Sequence, residues 1–133
     1  MPAADASAIA NAADQLFAAI EQGDEATLEQ MFDGDIAVWR AGSRRDDDKA
    51  RALRVLHWFI DVTAERRYEI LDRRLFSDGF VQQHVLHATG RNGGSIALRV
   101  CIVIKLGDFP DSQPMISRID EYFDPAELAP IMS

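Results

Sequence analysis

The residue of this chain best placed for proton chemistry is Glu121, in the stretch Ile116-Ser-Arg-Ile-Asp-Glu-Tyr-Phe-Asp-Pro. With the two-residue period of a strand, Met115, Ser117, Ile119, Glu121 and Phe123 share one face, and Ile116, Arg118, Asp120 and Tyr122 the other. The first face is mostly apolar. Glu121 is therefore the acid directed toward a core or pocket, where loss of hydration raises a carboxyl pKa and suits it to general acid or base work. The competing reading is a strand end where Glu121 pairs with a neighbouring arginine and does no chemistry.

Two of the three histidines lie between Phe80 and Thr89. Val81, Gln83, Val85, His87 and Thr89 face one way along that run, and Phe80, Gln82, His84, Leu86 and Ala88 the other, so His84 and His87 cannot act as a pair. Metal binding on a strand needs two imidazoles on one side, which a spacing of three does not give. Whichever histidine points inward can be oriented by a carboxylate and move protons near neutral pH; a satisfied core histidine is the plain alternative. His57 has Asp61 one turn further on, and a contact between them is expected. Trp39 and Tyr68 carry polar handles on aromatic bodies, fit either to line a ligand cavity or to fill a core.

Cys101 is the only cysteine and sits between Val100 and Ile102. It excludes an internal disulfide and a cysteine-based zinc site, and it reads as a small buried hydrophobe. No glycine-rich phosphate loop or nucleophile elbow is present. Neither a metal nor a cofactor is expected.

The elements that must position these residues change character halfway along. From about Ala4 to Gln22, Ile9, Ala13, Leu16, Phe17 and Ile20 recur at helical spacing, and Gly23 follows as a stop. Asp24 caps a short second helix that ends at Asp33-Gly34, after which Asp35 to Arg40 reads as a strand. Ala41 to Asp48, with three consecutive aspartates, reads as an exposed loop whose last Asp caps a third helix from Lys49 to about Thr63. Four β-type runs follow, at Arg67 to Phe76, Phe80 to Thr89, Ser95 to Leu106 and Met115 to Phe123. The links are Ser77-Asp-Gly, Arg91-Asn-Gly-Gly and a loop from Gly107 to Pro114, short enough to imply consecutive antiparallel pairing. Asp124-Pro125 opens a last short helix. Three helices followed by a curved sheet define an α+β domain with the helices on one sheet face. In the run from Ser95, Arg99, Cys101 and Lys105 oppose Leu98, Val100, Ile102 and Ile104, so that strand is buried on one side and semi-exposed on the other, as at a sheet-mediated dimer interface.

At 133 residues the chain is read as a single domain, residues 1–133, large enough for a real core. The formal net charge of −8 opposes a phosphate backbone or an anionic membrane as partner. No Lys or Arg precedes Arg40, and Asp5 and Asp14 interrupt the N-terminal apolar residues, so no signal peptide is read. A cytoplasmic location is the expectation.

The order of elements, the Phe-Asp-Gly-Asp-Ile turn, the Asp-Gly-Phe-Val-Gln-Gln-His strand and above all the closing Ile-Ser-Arg-Ile-Asp-Glu-Tyr-Phe-Asp-Pro resemble the nuclear-transport-factor-2-like (NTF2-like) superfamily. The resemblance is to its SnoaL-like, ketosteroid-isomerase-like and limonene-epoxide-hydrolase-like branch, and it spans nearly the whole chain. It implies a cone: a strongly bent, mixed or antiparallel sheet wrapped around three N-terminal helices, with a short C-terminal helix, an apolar cavity, and a homodimer formed through the outer sheet face. Limonene-epoxide-hydrolase-like members carry an acid just before Tyr-Phe-Asp, which is Glu121 here. Their Arg-x-Asp pair falls at Val85 and His87, so the arginine is absent and a histidine replaces the acid.

The resemblance thus implies a site in which Glu121 and His87 project into one cavity as the catalytic pair, lined by Trp39, Tyr68, Val85, Ile119, Met115 and Phe123. SnoaL-like cyclases and ketosteroid isomerases use a cavity acid to move a proton beside a carbonyl while a donor stabilises the enolate. The function implied is an acid/base isomerase or cyclase for an apolar, carbonyl-containing molecule of steroid or polyketide type. The alternative is a non-catalytic NTF2-like dimer that binds a ligand or a protein.

Overall fold

A computed structural model describes residues 6–107 and 115–132. The expected helix start at Ala4 and most of the loop before Pro114 lie outside the described residues. Helix α1 runs Ala6–Gln22 and buries Ile9, Ala13, Leu16, Phe17 and Ile20, the stripe marked by its spacing. It stops at Gly23, whose φ of 71° is open to glycine at little cost. Helix α2, Glu25–Met31, is capped by Asp24, whose carboxylate accepts from Thr27 N at 3.2 Å and from Thr27 Oγ1 at 2.6 Å.

Strand β1, Phe32–Arg40, follows without a break, three residues earlier than the sequence suggests. Helix α3, Lys49–Val62, is capped by Asp48 through Arg51 N. The four β-type runs form β2 (Thr63–Phe76), β3 (Gly79–Gly90), β4 (Ser95–Leu106) and β5 (Ile116–Tyr122). Asp124 caps a closing 3₁₀ helix, Pro125–Ile131, by accepting from Ala126 N.

The sheet order is β1-β5-β4-β3-β2. The pairs from β2 through β5 are antiparallel, as their short links require, while β1 joins parallel to β5 at the edge, which makes the sheet mixed. On the inner face, Phe80, Leu86, Leu98, Val100, Ile102 and Ile104 pack beneath α1 and α3. Each such side chain contributes about 1.5–3 kcal/mol on leaving water.

Two irregularities govern which residues face inward. Between β4 and β5, Lys105 pairs with Arg118 and Leu106 with Ile116, so Ser117 is an extra residue on β5. This bulge turns both Ile116 and Ile119 into the core, at 1% and 7% exposure. In β1 the register with β5 jumps between Phe32 and Ala37, after which Val38, Trp39 and Arg40 align with Ile119, Asp120 and Glu121.

Charged side chains tie the pieces together. Arg66 donates Nε to Ile20 O at 2.9 Å, Nη1 to Ile60 O at 3.2 Å and to Thr63 Oγ1 at 2.6 Å, and so holds the carboxyl ends of α1 and α3. The three aspartates of the loop have separate tasks: Asp46 accepts from Arg118, Asp47 from Arg40, and Asp48 caps α3. His57 pairs with Glu25 of α2 at 2.8 Å rather than with Asp61, so it bridges two helices. Among the described residues, no helix is long and apolar enough to cross a membrane.

Candidate functional site

A cavity opens between the helices and the inner sheet face, lined by seventeen residues. Its volume is about 110 Å³, several times the roughly 10–15 Å³ that one water needs. Leu16, Phe17 and Ile20 come from α1, and Val55, Leu56, Trp58 and Phe59 from α3. The sheet supplies Leu86, Leu98, Ile102 and Ile119, and the C-terminal segment closes one side with Phe123 and Leu128. Into this apolar wall project Arg40, Tyr68 and Glu121, apart from Trp58 its only polar side chains among the described residues.

Glu121 sits opposite Arg40 in the parallel β1–β5 pair, and its carbonyl accepts from Ala41 N at 2.9 Å. Its Oε1 lies 3.5 Å from Arg40 Nε, outside the usual hydrogen-bond range. Arg40 gives its hydrogen bond instead to Asp47, with Nη1 3.2 Å from Oδ2. Burial pushes the Glu121 carboxyl above its ordinary pKa, and the opposing pull of Arg40 is the smaller effect. Tyr68 reaches the same cavity from β2, its backbone held by the Glu21 carboxylate at 2.8 Å. Burial first, then the charges of Glu121 and Glu21, raise its phenol far above the ordinary tyrosine value. Tyr68 therefore remains a neutral O–H donor across the working pH range.

The predicted pair does not meet. Glu121 lines the cavity; His87 stands on the outer sheet face, where its Nε2 lies 2.8 Å from Glu69 Oε1 across the β2–β3 pair. That hydrogen bond lowers the Glu69 pKa. The physical reason is face parity. β3 pairs with β4 without interruption from Gly79–Lys105 to Thr89–Ser95, and its buried side is the one bearing Phe80, Gln82, His84, Leu86 and Ala88. His84 is thus the inward histidine.

His84 is 1% exposed and packs edge-on against Tyr68 and Phe17, with ring centroids 4.9 and 5.5 Å away. Its Nδ1 is 2.8 Å from Gln82 Nε2, while Gln82 Oε1 accepts from Arg73 Nε at 2.8 Å and Arg73 Nη1 reaches Asp14 at 2.8 Å. Because Arg73 can only donate, Gln82 must turn its oxygen to Arg73 and its amide N–H to His84. His84 is therefore neutral, with its proton on Nε2. Burial, assisted by the Arg73 charge, lowers its pKa to about 4. It is a fixed polar member of the core behind the cavity wall.

Of the expected lining, Tyr68, Ile119 and Phe123 are cavity residues, whereas Trp39, Val85 and Met115 are not. Trp39 alternates with Val38 and Arg40 and so falls on the other face of β1, against Tyr122 at 5.0 Å, with its Nε1 donating to Ser43 O. Val85 shares the outer parity of His87. Met115 lies before the Ser117 bulge, which breaks the period that would align it with Ile119. Arg40 is the residue the sequence reading passed over. Its signal was present, since Ile36, Val38 and Arg40 alternate on one strand face.

No protein-family model matches the sequence, and no curated protein matches it. Solved structures do. A candidate SnoaL-like polyketide cyclase from Shewanella denitrificans superposes with a TM-score of 0.75 at 15% identity, over 90% of this chain and 92% of that one. PrhC from Penicillium brasilianum gives 0.80 at 13% identity, over 95% and 86%. An M. tuberculosis LEH-like epoxide hydrolase gives 0.73 at 16% identity, over 94% and 88%. At these identities the likeness is one of fold. The chain has the NTF2-like fold that these structures share.

Proposed function

We propose that the cavity binds an apolar, carbonyl-containing molecule of steroid or polyketide type and that Glu121 moves a proton within it. The observation that carries this reading is a carboxyl group of raised pKa in a mostly apolar cavity, beside Arg40 and with Tyr68 in the same lining. Ionised Glu121 takes a proton from the carbon beside the ligand carbonyl. As negative charge gathers on the carbonyl oxygen, the Tyr68 O–H donates to it, an interaction stronger in the transition state than in the ground state. Glu121 then returns the proton at another carbon, giving an isomer, or the enolate carbon attacks a second carbonyl, whose oxygen, left as an alkoxide, takes the proton back from Glu121, giving a ring. Tyr68 takes the donor role, which the resemblance left to whichever of His87 and Glu121 was not the base.

Glu121→Gln tests this directly. It is expected to abolish turnover in a panel of unsaturated ketones and polyketide-like esters, while ligand binding and the melting temperature at about pH 8 are kept or improved, because the desolvated charge is gone. Turnover at the wild-type rate in that variant removes Glu121 from the chemistry. Tight binding without product from the wild-type protein favours the non-catalytic alternative.

A further inference from the structure

The loop aspartates contain a device that the reaction itself does not call for. Arg40 lies between two carboxylates, Asp47 and Glu121, and its hydrogen bond goes to Asp47, with Nη1 3.2 Å from Oδ2 against 3.5 Å from Nε to Glu121. Asp47 is not free to follow the guanidinium. Its backbone pairs both ways with Val38, accepting from Val38 N at 3.0 Å and donating to Val38 O at 2.7 Å. The neighbours are anchored too: Asp46 accepts from Arg118 at 2.8 Å, and Asp48 accepts from Arg51 N at 3.0 Å. The aspartate that holds Arg40 is thus fixed at three successive residues, outside the cavity wall.

We propose that Asp47 is a positioning residue: by holding Arg40 in a hydrogen bond, it keeps Glu121 from closing a full ion pair and so leaves the carboxyl free to exchange a proton with a ligand. Without Asp47, nothing in the pairing of β1 and β5 prevents the guanidinium from turning its fork onto Glu121, since the two residues are register partners. A bidentate pair of that kind would hold the carboxylate ionised and occupy the oxygens needed for proton transfer. The other charged or titratable groups near Glu121 do not substitute for it. From β2 comes the neutral phenol of Tyr68, backed by Glu21 of α1. On β5 itself, Asp120 and Arg118 bond to each other on the outer face. The side chains that α1, α3 and the C-terminal segment send to the cavity are apolar or, in Trp58, aromatic.

The inference rests on Glu121 as the proton-transfer group, but its test needs no substrate. Protein with ¹³C-labelled glutamate carboxyls is titrated by NMR, the Glu121 resonance being assigned by its loss in Glu121→Gln. In Asp47→Asn the Glu121 midpoint is expected to move to lower pH, and the shift should be larger in Asp47→Ser, which keeps no acceptor within reach of Arg40. Repeating Asp47→Ser in an Arg40→Gln background should remove most of the shift. An unchanged or raised midpoint overturns the proposal, and so does a shift of equal size without Arg40, which would assign the effect to the bare charge of Asp47. Failure of the functional reading appears separately, as turnover that survives Glu121→Gln.

Discussion

Acidification should weaken this fold through one residue, and the size of the effect follows from the contacts of His84. In the folded chain its Nδ1 is occupied as an acceptor by Gln82, whose amide is oriented by Arg73. Protonation would set two N–H groups against each other unless the Gln82 amide turned over, and that turn would break the bond to Arg73. The folded-state pKa is about 4 against an ordinary 6.5. Between those values the unfolded chain binds the proton and the folded chain does not, so stability falls as pH drops below about 6.5 and levels off near pH 4. With about 1.4 kcal/mol per pKa unit, the loss is about 2 kcal/mol at pH 5 and about 3 kcal/mol at the limit.

Urea unfolding at about pH 7.5 and pH 5 measures this, with His84→Gln as the reference because its amide oxygen can still accept from Gln82. Other groups titrate in the same window. Glu121, with its raised pKa, works in the opposite direction, since its folded form holds a proton more readily than the unfolded one. Such contributions are common to both proteins and cancel in the difference. The variant is expected to gain about 2 kcal/mol on the wild type between the two pH values. Parallel pH dependence in the two proteins would refute the argument, because it would mean that His84 takes up its proton in the native state as easily as in water.

Two further outcomes follow from the geometry. Tyr68→Phe keeps the ring contacts with Phe17 and His84 but removes the donor; kcat on any substrate turned over should fall by roughly 10²–10³ with KM little changed, and a fall of less than about threefold would count against the phenol as the oxyanion donor. Arg66→Met removes the bonds to Ile20 O, Ile60 O and Thr63 Oγ1; urea unfolding should show a loss of about 2–3 kcal/mol, and a loss below about 0.5 kcal/mol would mean that water replaces the guanidinium without cost.

The parts of this molecule that were legible in the sequence are those governed by short-range periodicity. The stripe Leu16, Phe17 and Ile20 on α1, the capping aspartates 24, 48 and 124, and the antiparallel run from β2 to β5 all follow from neighbours within a few residues. Glu121 was readable for the same reason, as it follows the bulge and shares its face with Ile119 and Phe123. What escaped depends on partners far along the chain. Nothing near β1 announces that it lies parallel to β5, so Arg40 opposite Glu121 could not be read, although its place with Val38 on one face could. The choice between His84 and His87 turned on which side of β3 meets the helices. Local composition favoured the side with Phe80, Leu86 and Ala88, while the comparison with the Arg-x-Asp pattern pointed to the opposite side.

The extra residue at Ser117 has a consequence for how this chain tolerates change. Ile116 and Leu106 are in phase on one side of it, and Ile119, Glu121 and Phe123 are in phase on the other. A bulge of this kind works as a slip joint. A single-residue insertion or deletion upstream of Arg118 can be taken up there, by widening the bulge or by closing it, and the strand beyond keeps its face. The acid thereby keeps its place in the cavity whether that bulge is closed or widened.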